Sequence, residues 1–360
     1  MLVMHDGYPT AHRSLLAIDL FAGCGGLTTG LKKAGFEVVA AVEIDPLAAK
    51  TYKQNHPETQ VWTRDIRRIS AAMLGHKARL ARGRLDLLAG CPPCQAFSRM
   101  RSLNRARRIR DPKQKDLLGE ILRFAKVLRP KTVMVENVPG LALDRRWKYF
   151  VARLRRMNYE CEYKILDCTD YLVPQRRRRL ILLASRLGPV PFAVAASRHL
   201  SVRHAIGSLK PAGRSGDALH DLPENRSSRI RRLISLIPRN GGSRLDLGAK
   251  KQLRCHLKCD GFKDVYGRMK WDGPSPTITS GCFNPSKGRF LHPKANRSIT
   301  LREAALLQSF PRKYFFDLSQ GKCGAAAMIG NALPPEFVRR HAIQVRRHLL
   351  QLHLPNTPST

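Results

Sequence analysis

SLLAIDLFAGCGGLTTGLKKAGFEVVAAVEI, residues 14–44, contains a complete strand, turn, helix and second strand. SLLAIDLF (14–21) is a nearly continuous apolar run of strand length, as expected of a strand buried on both faces. Glycines at 23, 25 and 26 make a turn, a short helix starts near Leu27, and FEVVAAVEI (36–44) is the next strand. Outward from this unit the pattern repeats. PLAAKTYKQN (46–55) reads as a helix, and RLDLLAG (84–90) and KTVMVENV (131–138) as strands flanking the amphipathic stretch 116–128. ECEYKILDC (160–168) and RRLILLASR (178–186) complete at least six strands. This alternation predicts an α/β fold with a mostly parallel, doubly wound sheet.

The alternation stops near Gly188, and Gly, Pro, Arg and Ser dominate as far as Ser298. Phe, Tyr, Trp and Ile persist there at intervals, so a second, irregular domain is expected. Helical character returns at 301–310 and 335–352. The expected division is 1–187, 188–322, and a segment 323–360 returning to the first domain.

Lys and Arg number 65 against 27 Asp and Glu, a formal charge of +38. Such an excess calls for a polyanionic partner, because counterion release drives basic surfaces onto phosphate backbones. Hydrophobic residues make up 43%, enough for a core. No apolar run is long enough to span a membrane, and MLVMHDGYPTAHRS lacks the apolar centre of a signal peptide. Nine cysteines without framework spacing suit free thiols in a reducing compartment, so a cytoplasmic protein is expected.

Three rims of the expected sheet carry chemistry. The glycine turn lets a ligand approach the backbone at a helix N-terminus, although its spacing is not G-x-G-x-x-G. Glu43 closes the second strand, where a carboxylate can bind both ribose hydroxyls, and Asp65 in VWTRDI can accept from an adenine amine. Together they suggest a nucleoside held across the strand ends without choosing among adenine cofactors. GCPPCQAFS (90–98) follows another strand. A redox pair lacks the expected setting, and a zinc site would need CHLKC (255–259), whose spacing is wrong, so no metal is expected. The remaining reading is one nucleophilic cysteine on a rigid Pro-Pro turn. Cytosine chemistry would use it, since a thiolate added at carbon 6 makes carbon 5 nucleophilic. An acid near nitrogen 3 and a cation near the carbonyl oxygen complete the set. ENVPG (136–140) and PQRRRRL (174–180) offer both.

FAGCGG, GCPPCQAFS, ENVPG, QRRRR, REAALLQSFP and GNALPP occur in this order, and the series resembles the cytosine-5 DNA methyltransferases from about Leu16 to Phe337. The resemblance implies the S-adenosylmethionine-dependent, Rossmann-like methyltransferase fold. It implies Cys94, not Cys91, as nucleophile, with Glu136 holding the cytosine edge and Arg177 and Arg179 completing the catalytic set, Arg179 contacting the base. S-adenosylmethionine is the implied cofactor, contacted by Phe21, Gly23, Gly25, Gly26, Glu43, Ile44, Asp65 and Asn331, with Pro93 between cofactor and cytosine. Two positions depart from the family: Arg64 replaces a glycine before the adenine-binding acid, and Ile44 replaces a stacking tryptophan. Residues 99–114 resemble the loop that closes over DNA, and about 189–264 the target-recognition region, with 266–279 at its far end.

The implied partner is double-stranded DNA, with the target base flipped out of the stack. A monomer is expected, as is a separate restriction endonuclease as possible companion. A transfer-RNA methyltransferase would carry Cys-Phe-Thr, whereas Cys282 is followed by Phe283 and Asn284. A silent relative would have lost part of the catalytic set. A nicotinamide oxidoreductase would explain neither the charge nor the cysteine loop.

Overall fold

The computed structural model describes residues 14–93, 117–248, 252 and 263–351. Seven strands form one sheet: β1 Leu15–Leu20, β2 Phe36–Glu43, β3 Gln60–Thr63, β4 Leu87–Gly90, β5 Thr132–Asn137, β6 Glu160–Asp167 and β7 Arg178–Ser185. The helices are α1 Gly26–Lys33, α2 Pro46–Asn55, α3 Ala71–Lys77, α4 Leu117–Leu128, α5 Arg145–Arg156 and α6 Val202–Ile206. They continue with α7 Ala218–Asp221, α8 Ser228–Leu236, α9 Leu301–Leu307, α10 Gly321–Asn331 and α11 Pro335–Gln351.

The strand order is β3-β2-β1-β4-β5-β7-β6. Strands β1 to β5 pair in parallel, but β7 is antiparallel to both β5 and β6. The mostly parallel sheet expected from sequence therefore has an antiparallel edge. The cause is chain length: a parallel return needs a crossover of a dozen or more residues, and between Asp167 and Arg178 there is only a short 3-10 turn at Cys168–Tyr171 and a loop.

Both faces of the sheet are covered, which is why its strands are apolar without alternation. Ile18, Leu20, Leu88, Val133, Val135 and Leu182 meet α3, α4 and α5 on one face. Ala17, Leu87, Ala89, Met134 and Leu183 meet α1 and α11 on the other. Burying one aliphatic side chain contributes about 1.5–3 kcal/mol, so these layers hold the strand ends rigidly. Helix α5 has buried Trp147, Phe150, Val151 and Leu154 on one stripe and basic residues elsewhere. Helix α10, GKCGAAAMIGN, has little amphipathic pattern because Ala325, Ala326, Met328 and Ile329 are all buried. Neither helix, nor α3, was among those expected.

A third core joins Val202, Ile206, Met269, Ile278, Leu301 and Ile329 to Cys24, Leu47 and Ala48. The irregular region thus packs against the back of the glycine turn. Beyond it, Arg268 is wholly buried, and its guanidinium donates to the carbonyls of Ile234, Ile237, His292 and Ala295 and to Asn296 Oδ1.

Candidate active site

The carboxyl ends of β1, β2, β4 and β5 make one rim. At the end of β1, Phe21 takes a left-handed φ of 62°, an uncommon conformation for a side chain of this size. Gly23 follows at φ 55° with nothing within 4 Å of where a Cβ would stand, leaving an open cradle. Gly25 is the left-handed cap of α1, which has no side-chain cap, so N–H groups at this end remain available. A Cβ on Gly25 would lie 2.6 Å from Tyr314 Oη and 2.8 Å from His56 Nε2. Tyr314 Oη donates to the Cys24 carbonyl at 2.6 Å, so a residue far along the chain braces this turn.

Glu43 accepts from the Gly23 N–H through Oε2 and from the Asp45 N–H through Oε1, each at 2.7 Å. Burial raises its pKa, partly offset by those N–H groups. Ile44 beside it is 62% exposed, an apolar surface at the rim. Asp65 caps a 3-10 turn and is ion-paired with Arg67 at 2.6 Å, whose hydrogen bonding lowers the carboxyl pKa. Asp19, not singled out from sequence, is wholly buried beneath the turn. Thr28 Oγ1 donates to its Oδ2 at 2.7 Å, while Oδ1 has no hydrogen-bond partner among the described residues. Burial pushes its pKa up to about 7.

At the next strand ends, the Cys91 N–H donates to the Leu20 carbonyl at 3.2 Å, continuing the β1–β4 pairing. Asn137 Nδ2 donates to the Pro92 carbonyl at 2.9 Å, which fixes the Pro-Pro turn against β5. Pro93 is exposed. Cys94 and residues 95–116, including the expected closing loop, lie outside the described residues. Glu136 on β5 and Arg179 on β7 form an ion pair, Nε to Oε1 2.7 Å, both mostly but not wholly buried. Burial, then the charge of Glu136, hold the Cys91 thiol well above its ordinary pKa.

Arg177 and Arg179 have different surroundings. Arg177 is 3% exposed, and its guanidinium donates to the carbonyls of Ile278, Gly330 and Ala332 at 3.0, 3.1 and 3.1 Å. The last two flank Asn331, whose side chain is exposed. Gln308 joins this seam: its Nε2 donates to the Ile329 carbonyl at 2.6 Å, and its Oε1 accepts from Gln175 Nε2 at 2.7 Å. Gln175 Oε1 in turn accepts from the Ile278 N–H at 2.8 Å. Sequence reasoning missed Gln175 and Gln308. The available signal was a glutamine in the otherwise apolar LLQSF. Among the described residues no group of three or more His, Cys, Asp or Glu could hold a metal, and no helix is long and apolar enough to cross a membrane. Cys255 and Cys259 lie outside the described residues.

A ligand cradle beside a carboxylate, two strands from a carboxylate–guanidinium pair, suits a group-transfer enzyme of the α/β class that brings a nucleoside cofactor to a polar ring. Comparison with known proteins narrows the class. The pattern of the C-5 cytosine-specific DNA methylases matches residues 15–347, and the chain belongs to that family. It is 35% identical over 351 residues to the type II methylase M.HgiDII of Herpetosiphon aurantiacus, covering 93% of this chain and 96% of that protein. The type II methyltransferase M1.HphI of Haemophilus parahaemolyticus is 32% identical, with 89% and 84% covered. Among solved structures, a DNA modification methyltransferase encoded within an E. coli prophage superposes with TM-score 0.68 at 23% identity, covering 94% of this chain and all of that one. A Spodoptera frugiperda DNMT2 mutant gives TM-score 0.60 at 18% identity, covering 92% of this chain and all of that one. These two likenesses concern the fold. DNA as substrate, rather than RNA, follows from the family.

Proposed function

We propose that this DNA cytosine-5 methyltransferase uses S-adenosylmethionine and attacks a flipped-out cytosine through Cys94. The observation that carries this reading is the Glu136–Arg179 pair at 2.7 Å, on the strands next to the one that leads into the Pro-Pro-Cys turn. The thiolate of Cys94 adds to carbon 6. Glu136 holds the ring edge and supplies a proton at nitrogen 3 as negative charge develops, and Arg179 keeps that carboxyl oriented and faces the carbonyl oxygen. Loss of the carbon 5 proton to a base then restores the double bond as the Cys94 sulfur leaves. Cys91 stays protonated in its buried position and takes no part.

The cofactor fits the turn on three observations: the open space at Gly23, the carboxylate of Glu43 held by two backbone N–H groups, and the exposed Ile44. Phe21, Gly23, Gly25, Gly26, Glu43, Ile44, Asp65 and Asn331 would hold it, with Pro93 between it and the base. When bound it supplies an electrophilic methyl group. We assign Arg177 a positioning role, since its donors are directed at backbone carbonyls. The domain division 1–187, 188–322 and 323–360 belongs to the same reading, with the middle part selecting the DNA sequence. The names of the relatives, type II methylases, support a restriction endonuclease as companion.

The test is covalent trapping on long duplex DNA containing 5-fluorocytosine with S-adenosylmethionine present. Fluorine cannot leave as a cation, so the wild-type chain is expected to stall as a denaturation-resistant adduct and Cys94→Ala to form none. An adduct with Cys94→Ala, or none with a cofactor-binding wild type, overturns the assignment.

A further inference from the structure

The positive charge is not confined to the rim that carries the site. Strands β5 and β7 each run from that rim to the opposite end of the sheet. On β7, Arg179 stands beside Glu136, while Arg186 follows the last residue, Ser185. Seven residues of strand at about 3.3 Å each separate these two arginines by ~23 Å, more than the width of a duplex. A duplex with its target base in the pocket does not reach the far end without wrapping around the molecule.

That far end is one continuous surface. The Gly83 N–H donates to the Leu128 carbonyl, tying the α3–β4 loop to the end of α4. Arg129 Nη1 donates to the Met157 carbonyl after α5. Arg186 closes the set by donating to the Pro130 and Arg129 carbonyls at 3.1 and 2.8 Å. Around these ties stand Arg79, Arg82, Arg84, Arg155 and Arg156, all exposed. None forms an ion pair with a carboxylate among the described residues.

The imbalance is strong in the segments that build this end. Residues 71–84 hold four basic residues and no acid, and residues 145–158 hold six and none. The nearest acids are Asp86, buried under Lys131 at 2.8 Å, and Glu160 at the start of β6. Exposed like charges repel one another and lower stability unless an anion joins them. All five exposed groups are arginine, whose planar fork matches phosphate oxygens.

We propose that this end of the sheet is a second, sequence-independent binding surface for duplex DNA, separate from the target pocket. Its contacts go to phosphates alone, so it holds any segment while the pocket examines another. A chain that grips two segments at once can pass between them without full release. The proposal goes beyond the catalytic reading and rests on it only in choosing DNA as the polyanion.

The experiment counts short duplexes bound per full-length chain at low salt, by sedimentation, for wild type and for the triple variant Arg82→Ser, Arg84→Ser, Arg156→Ser. Wild type is expected to bind two and the variant one, with methyl transfer to the same short duplex within about two-fold. The second site's log affinity should fall with log salt with a slope near −0.9 per phosphate contact. One duplex on wild type, or two on the variant, overturns the proposal. So does a variant that loses methyl transfer along with the second duplex, since those arginines would then serve the target pocket. Displacement of the second duplex by single-stranded RNA or by phosphatidylserine vesicles, at matched charge, would assign the surface to another partner. The Cys94→Ala trapping result reads the catalytic reading separately, since it uses none of these residues.

Discussion

Replacing Arg177 by methionine keeps the apolar stem and removes the guanidinium that holds three buried carbonyls. Bonds from a charged donor are worth about 1.5–3 kcal/mol each, so three give at most ~9 kcal/mol. Two effects reduce that figure. The cost of burying the cation, evident in its lowered pKa, is recovered, and Gln308 Nε2 still lies 3.4 Å from the Ala332 carbonyl. A net loss of about 3–5 kcal/mol remains, as found when a buried charge network loses one partner. The turn that carries Asn331 is released with it. The midpoint of urea unfolding should fall with unchanged slope. S-adenosylhomocysteine should bind about ten-fold more weakly to the still-folded variant, a loss of ~1.4 kcal/mol. Arg177→Lys, able to keep one or two of the bonds, should fall between. A methionine variant with normal stability and cofactor affinity but no methyl transfer would refute this reasoning, and Arg177 would have to touch the base.

Further outcomes are expected. Cys94→Ser should lose nearly all methyl transfer and keep cofactor affinity by calorimetric titration, whereas Cys91→Ser should stay within a few-fold; equal damage would point to a paired-cysteine chemistry. Glu136→Gln can still accept from Arg179 but cannot supply a proton, so single-turnover methyl transfer should drop about 10²–10⁴-fold, and an undiminished rate would exclude Glu136 as the acid. Gly25→Ala meets both the φ of 96° and the 2.6 Å approach to Tyr314 Oη, so S-adenosylhomocysteine binding should be lost, and ordinary binding would mean the turn is loose. Burial lowers the pKa of His56 and His292 to about 4 and of His341 to about 3. The folded state therefore favours neutral rings. That stability is present above about pH 6.5 and is lost on acidification towards pH 4, by up to about 1.4 kcal/mol per pH unit for each ring. Asp19, raised to about 7, acts with the opposite sign: its protonated form contributes below about pH 4 and the contribution is lost as pH rises through 7. Over the shared window it offsets one of three histidines, so urea midpoints should still fall between pH 6.5 and 4, and less so in His341→Phe.

Much of the catalytic layout was legible along the chain, because it depends on local order. A strand, a tight turn and a helix leave their mark within a dozen residues, and 14–44 shows all three. Glu43, Glu136 and Arg179 could be chosen because each sits at or beside a strand end, and parallel strands bring such ends to one rim. The six ordered motifs did the rest. The direction of β7, the surroundings of Arg177 and the brace on Gly25 depend on partners far apart in sequence. The first follows from a connection too short for a crossover. The second exists only where Ile278, Gly330 and Ala332 turn their carbonyls to one point. The third comes from Tyr314, nearly three hundred residues beyond the turn it supports. Likewise, the total charge of +38 was plain from composition, but the opposite ends over which it is spread were set by the direction of the strands. Local propensity and periodicity write elements and rims into a sequence, whereas hydrogen bonds between distant segments are decided only when the layers pack.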